Sequence, residues 1–467
     1  MKKYAIVLAA GKGSRMKTDL PKCAYPLLKK PMIVYIIENL TKAAIVDEMI
    51  AVVGHKKEVI KRILNSRVSY AVQEEQLGTG HAVQMAEDLI KEEGYSIILP
   101  GDMPLIDDKV IKEAMVFHES SQNDLTVVST FLDEPDGYGR IIMKNEQLEA
   151  IVEEKDASEK EKEINQINTG IYIVDNKMLF EGLNKISNNN AQNEYYLTDI
   201  VKVFKKQKKR ISTFVLKKSF KAMGINDLYA LSQAEAILRH EINKTIMRSG
   251  VAMINPDTIT IGDNVVIEEN VTISPNCYIT GNSVIKKNVF IGPSTEIHNS
   301  TIGEGVKIQH SLILNSEVKE NSTIGPFAHL RNGAIIGKNN RIGNFVEVKK
   351  SITGDTFKAS HLSYIGDAEI GNYVNFGCGA VTVNYDGQNK YKTIVGNDVF
   401  IGCNANLIAP IVLEDNSTIA AGSTLNKNVP KDSLAIARSY QVNKENYFKN
   451  KKKIEKKNSW QRTVYVI

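Results

Sequence analysis

No stretch of this chain approaches the roughly 18 consecutive apolar residues that a membrane-spanning helix requires. The N-terminus runs directly into Tyr4-Ala5-Ile6-Val7-Leu8, without the basic, apolar and small-residue order of a secretory leader, so a cytoplasmic location is expected. Cysteine is scarce. Cys23, Cys277, Cys378 and Cys403 stand far apart with no CxxC pair, which excludes a disulfide framework and predicts free thiols. Neither sign of charge dominates: 59 Lys and Arg face 54 Asp and Glu, for a net +5. Much of that small excess sits in the tail Lys444–Lys457, which reads as a solvated extension rather than a nucleic-acid arm. No nucleic-acid partner and no membrane insertion are expected.

What the chain does have is a repeat. From Ile261 an aliphatic residue returns every sixth position through Ile267, Ile273, Ile279, Ile285, Ile291 and Ile297. The period drops one residue, resumes at Ile302 and Ile308, and reappears at Ile336, Ile342 and Val348 and again from Ile401 through Leu407, Leu413, Ile419 and Leu425. Neither a helix nor a flat strand needs that spacing. A period of six marks a parallel β-helix whose aliphatic side chains point into a prism-shaped core. Gly and Asn near these positions suit tight corners with positive φ. Between Val383 and Lys392 the repeat is broken by a polar insertion, of the kind that solenoids place on a binding face.

Residues 1 to about 225 read differently. Strand-like runs at Tyr4–Ala10, Glu48–Val53, Val68–Val72 and Ser96–Leu99 alternate with helical patterns at Val34–Ala43, Lys57–Leu64 and His81–Glu92. Such alternation predicts an α/β, Rossmann-like domain with a mostly parallel sheet. A helix over Asp227–Arg248 reads as a linker. The expected division is therefore 1–226 for the α/β domain, 227–249 for the helix, and 250–467 for the β-helix with its basic tail.

The first strand opens into Leu8-Ala9-Ala10-Gly11-Lys12-Gly13-Ser14-Arg15-Met16, where small residues let backbone N–H groups approach a phosphate. The spacing fits neither GxGxxG nor GxxxxGK[ST]. With Leu20-Pro21-Lys22 following, the stretch resembles the LxxGxGxRM…PK signature of sugar-1-phosphate nucleotidylyltransferases. Further segments resemble that family in order: Gln73 to His81 with Gly78 and Thr79, Gly101-Asp102-Met103-Pro104, Gly137-Tyr138-Gly139-Arg140, Glu153, Asn168 and Asn226. Over about residues 4–440 the chain resembles the bifunctional bacterial enzymes that acetylate glucosamine-1-phosphate and then uridylylate it. The resemblance implies a nucleotide and sugar site made by Leu8, Ala9, Ala10, Gly11, Arg15, Lys22, Gln73, Gly78, Thr79, Gly139, Glu153, Asn168 and Asn226. It places Mg²⁺ on Asp102 and Asn226. Two oxygens, with phosphate and water completing the shell, suit that ion.

The β-helix half offers His298, His310, His329 and His361, too dispersed for a zinc centre to be favoured. By the same resemblance His361 is the general base of acetyl transfer, a role suited to imidazole. Arg331, Lys349, Tyr364 and Asn375 would hold the sugar phosphate, and Cys378, Asn384, Tyr385, Cys403, Ala421 and Arg438 would hold acetyl-CoA. Cys378 and Cys403 depart from the small residues expected there, such as Ala and Ser. The tail Asn443–Ile467, with Trp460, departs most from a segment that in this family reaches a neighbouring subunit. The implied partners are UTP, glucosamine-1-phosphate, N-acetylglucosamine-1-phosphate and acetyl-CoA; the implied assembly is a homotrimer. The implied product, UDP-N-acetylglucosamine, feeds peptidoglycan, lipopolysaccharide or other envelope glycans. The competing reading is a nucleotidylyltransferase with one activity, its solenoid a spacer for oligomerisation and binding.

Overall fold

The chain, described by a computed structural model over residues 1–449 and 451, divides into two compact units, Met1–Ile242 and one that begins at Asn243. The division falls inside the helix Leu228–Arg248. Most of the basic tail, Trp460 included, lies outside the described residues.

The first unit is built on a sheet with strand order Ile211–Val215, Leu125–Phe131, Gln166–Asp175, Gly94–Pro100, Lys2–Ala9, Glu48–Val53 and Ser69–Val72. Lys2–Ala9 runs parallel to both neighbours, with Ile6 facing Ile50 on one side and Ile98 on the other. Gln166–Asp175 is antiparallel to its neighbours, which makes the sheet mostly rather than wholly parallel. Strand residues alternate between two cores: Ala5, Val7 and Ala9 join one, while Tyr4 and Ile6 join the other. A continuous apolar strand is the consequence of covering both faces. The expected helix over His81–Glu92 is shorter, spanning Thr79–Gln84. Beyond it Leu89 N bonds to Ala86 O and Ile90 N to Glu87 O, so the chain tightens into a 3₁₀ turn before the next strand. Leu231 and Ala234 at the start of the Leu228–Arg248 helix are buried in a small core with Leu27, Met32 and Ile225.

The second unit is a left-handed parallel β-helix of short strands. Successive rungs stack in parallel at offsets of 16 to 18 residues: Ile261 on Ile279, Ile279 on Ile297, Ile297 on Ile313. The offset grows to 25 where the 384–392 insertion leaves the coil, as at Phe376 on Ile401. Every aliphatic residue of the six-residue period is buried except Ile267, in the first coil, which is partly exposed. Corners turn through residues of positive φ, mainly Asn, as at Asn276, Asn288 and Asn321. Side-chain oxygens then cap the next rung: Asn372 N donates to Asn397 Oδ1 at 2.9 Å, and Asn397 N to Asp415 Oδ1 at 2.7 Å. Those bonds satisfy corner amides that a strand ladder leaves unpaired.

Candidate active sites

The N-terminal unit carries a cleft of about 710 Å³ at the carboxyl ends of its parallel strands, the position where open α/β sheets bind ligands. Leu8, Ala10, Gly11 and Arg15 reach it from the first strand and its loop. Ala9 does not, because alternation along the strand turns its side chain into the core. Leu8 O accepts Gly101 N at 2.8 Å, which fixes the loop bearing Asp102 against that of the first strand.

Gln73, Gly78 and Thr79 form one wall. Gln73 is buried, and its Nε2 donates to Gly78 O at 3.1 Å and lies 3.0 Å from His81 Nδ1. Gly78 has φ of +114°, and a Cβ built there would stand 2.6 Å from Tyr195 O, so glycine is demanded by both conformation and space. Thr79 Oγ1 accepts Leu197 N at 3.0 Å.

Gly139, Glu153 and Asn168 form the opposite wall. Asn168 N donates to Gly139 O at 2.8 Å, and Asn168 Nδ2 to Tyr172 Oη at 2.8 Å. Glu153 accepts Thr198 Oγ1 at 3.0 Å. Burial holds its carboxyl above the usual carboxylate range, against the opposing effect of the Thr198 bond. A raised folded-state pKa gives stability that is full below the unfolded value and is lost as pH rises through the folded one. Glu153→Gln is therefore expected to melt above the parent near pH 8, by a margin that shrinks toward about pH 5, in thermal scans across that window.

Lys22 closes the floor. Its Nζ contacts Asp102 Oδ2 and lies 2.6 Å from Asn226 Oδ1, and Asn226 Oδ1 also accepts Arg15 Nη2 at 3.1 Å. Ile225 N donates to Asp102 O at 3.0 Å, tying together the two loops that bear Asp102 and Asn226. Two hard oxygens thus converge on one point, where the lysine ammonium holds the place of a cation. That donor set fits a small divalent ion that completes its shell with phosphate and water oxygens.

On the β-helix the register assembles the remaining residues in columns. One column runs Asn344, His361, Cys378, Cys403 and Ala421 on successive rungs, each pair bracketed by paired neighbours. His361 is exposed, and its Nδ1 is 2.8 Å from Asn344 Oδ1. Arg438 reaches the far end of that column, donating from Nη1 to Ala421 O at 2.9 Å. A second column stacks Arg331 on Lys349 and Lys349 on Gly366. Arg331 Nη2 pairs with Glu347 at 2.6 Å, and Lys349 Nζ lies 3.8 Å from Asp367 Oδ2. Tyr364 folds back over Gly366: a Cβ there would stand 2.4 Å from its hydroxyl. Asn384 Nδ2 donates to Asp367 Oδ2 at 2.6 Å, and Tyr385 stands exposed in the insertion. Asn375, half-buried, pairs with Lys358 and Phe400, three residues before Cys378 on the same rung.

A residue that the sequence did not single out joins this set. Lys390 in the insertion faces Lys349, and that neighbouring ammonium holds its pKa below the ordinary lysine value. Two ammoniums held this close favour an anion beside them, and Asp367 supplies part of that charge. In the cleft Thr198 was likewise missed, since it is carried in by the 3₁₀ turn Leu197–Asp199 rather than by a motif.

The nucleotidyl transferase family model matches residues 4–236, the GMPPB C-terminal domain model 261–357 and the bacterial transferase hexapeptide model 392–427. The chain is 57% identical over 452 residues to the bifunctional protein GlmU of Acholeplasma laidlawii, covering 96% of this chain and 98% of that one. The chain belongs to the bifunctional GlmU family. A second GlmU, from Staphylococcus epidermidis, is 47% identical over 451 residues and 96% of this chain, with all of its own length covered. Among solved structures, a UDP-glucose pyrophosphorylase complexed with UDP-glucose aligns with 52% of this chain and 100% of its own, at 22% identity and a TM-score of 0.43. The match to these relatives covers both units of the chain. No described helix is long and apolar enough to cross a membrane.

Proposed function

We propose that the chain makes UDP-N-acetylglucosamine in two steps: acetyl-CoA-dependent N-acetylation of glucosamine-1-phosphate on the β-helix, then Mg²⁺-dependent uridylyl transfer from UTP in the N-terminal cleft. Family membership over nearly the whole of both units carries this reading. The product is a precursor of envelope glycans, and the work is that of a cytoplasmic enzyme.

In the first step Arg331, Lys349 and Lys390 take the sugar phosphate, while Tyr364 and Asn375 orient the ring. Asn344 Oδ1 only accepts, so His361 Nδ1–H donates to it and the lone pair lies on Nε2. Nε2 then receives the proton that the sugar amine sheds as it attacks the thioester. Cys378, Asn384, Tyr385, Cys403, Ala421 and Arg438 line the path of acetyl-CoA. In the second step the phosphate of N-acetylglucosamine-1-phosphate attacks the α-phosphorus of UTP, and pyrophosphate leaves. Gln73 spends both Nε2 hydrogens inside the protein, leaving Oε1 for the N3–H of uracil. Gly139, Glu153 and Asn168 hold the sugar, and Arg15, Lys22 and the loop amides neutralise the phosphates. Mg²⁺ on Asp102 and Asn226 supplies further charge neutralisation.

Hexapeptide solenoids oligomerise through their faces, and we read this one as a trimer. Phe327, Phe345 and Leu362 occupy corners with φ of +58°, +58° and +41°, which bulky residues adopt only at a cost, yet all three are more than half exposed. Phe327 and Phe345 stack with centroids 5.4 Å apart. Burial against neighbouring subunits accounts for an apolar column in that strained setting. Phe345→Asp is expected to shift the sedimenting species from three chains to one and to depress acetyl transfer while sparing uridylyl transfer.

The test of the reading is a product assay. With glucosamine-1-phosphate, acetyl-CoA, UTP and Mg²⁺, mass spectrometry should find UDP-N-acetylglucosamine, free coenzyme A and pyrophosphate. Product that forms only from supplied N-acetylglucosamine-1-phosphate would reduce the chain to the one-activity alternative.

A further inference from the structure

Two of the four cysteines are placed unlike the others. Cys23 and Cys277 are buried, and burial raises both thiols, Cys23 to about 12. Cys277 in addition directs its Sγ at Gly292 O, 3.1 Å away. Burial keeps both as thiols and so poorly reactive toward oxidants, although Cys23 borders the N-terminal cleft. Cys378 is partly exposed and Cys403 exposed. They are 25 residues apart in sequence, and the register puts them at equivalent positions of adjacent coils. Asn375 and Phe376 pair with Phe400 and Ile401 on one side, Val381 and Thr382 pair with Asn406 and Leu407 on the other, and Asn404 N donates to Cys378 O at 2.8 Å. Both lie in the turns between strands; adjacent coils stand about 4.8 Å apart, inside the Cα separation that a disulfide spans, and a bridge needs the two Cβ atoms to close by about 1 Å. The two thiols also continue the column that begins at Asn344 and His361.

We propose that Cys378 and Cys403 form a reversible dithiol–disulfide pair that closes the acetyl-CoA site when the protein meets a hydroperoxide. The chemistry balances in two steps. The peroxide oxygen transfers to the Cys403 sulfur, giving a sulfenic acid and an alcohol, or water where the oxidant is hydrogen peroxide. The Cys378 sulfur then attacks the sulfenyl sulfur, the S–O bond breaks, and hydroxide leaves with the Cys378 proton as water. Overall two thiols lose two electrons and two protons to one O–O bond. A dithiol reductant reverses the change by exchange. The bridge draws together two rungs in the middle of the column that ends at Arg438, one rung from the general base. The stacking stands on the register alone; the consequence for activity rests on the acetyltransferase reading above.

The full chain, treated with hydrogen peroxide, alkylated and digested without reduction, should yield a Cys378–Cys403 cross-linked peptide, with Cys23 and Cys277 left as free thiols. Acetyl transfer should fall about tenfold or more, as expected when substrate is displaced by a fraction of its length, and dithiothreitol should restore it. Uridylyl transfer should not change. Cys403→Ser, whatever its own starting rate, should form no cross-link and lose no further activity on oxidation. Absence of the cross-link would overturn the proposal, and so would a cross-linked enzyme that still transfers acetyl at the reduced rate. A reduced enzyme without acetyl transfer would instead defeat the acetyltransferase reading and with it the regulatory consequence, while the cross-link would still be read by mass.

Discussion

Replacing His361 with alanine is expected to lower the turnover of acetyl transfer by roughly 10²–10⁴-fold while uridylyl transfer in the same preparation keeps its rate. The amine of glucosamine gains positive charge as it attacks the thioester, and collapse to amide requires that charge to leave as a proton. With Nδ1 committed to Asn344 at 2.8 Å, the imidazole presents only Nε2 for the task. The side chain is exposed on a solenoid held by buried aliphatics, so its loss removes the proposed base without opening a cavity. A second readout separates chemistry from structure. The deficit should narrow as pH rises, because the free amine and solvent base increasingly replace the missing group. A variant whose deficit is the same at every pH would point to damaged binding.

Asp102→Asn should have the opposite signature, lowering uridylyl transfer about 10²-fold or more with acetyl transfer intact. The substitution keeps size and an oxygen but removes the charge that Lys22 contacts at the floor of the cleft. Lys22 and Asn226 remain, yet the proposed Mg²⁺ site has lost its one anionic donor. Raising the Mg²⁺ concentration should recover part of the loss. A failure of both activities in the folded variant would contradict the separation of the two sites.

The solenoid was the more legible half. A six-residue period points to a β-helix, and the buried set from Ile261 to Leu425 follows it with only Ile267 partly exposed, in a first coil that has no rung below it. The α/β half was legible in its local elements, since the strand Glu48–Val53 and the helix Lys57–Leu64 need only local periodicity. The antiparallel strand Gln166–Asp175 was not, because direction is set by connections across the sheet. Resemblance supplied the cleft residues; side-chain alternation then decided which of them face it, and Ala9 turns inward for that reason alone. Lys390 and Thr198 had no local signature, being delivered by the fold of a loop and a turn. The alignment of His361 with Cys378 and Cys403 was equally hidden, since offsets of 17 and then 25 residues cannot be paired until the insertion is placed outside the coil.

The central claim is that one chain carries two independent sites joined by a free intermediate. It is tested most directly by mixing. Purified His361→Ala and Asp102→Asn proteins, each assayed alone with glucosamine-1-phosphate, acetyl-CoA, UTP and Mg²⁺, should make little UDP-N-acetylglucosamine. Mixed in equal amounts they should make it at a substantial rate, because N-acetylglucosamine-1-phosphate released by one protein is used by the other. A mixture as silent as its separate components would contradict the account.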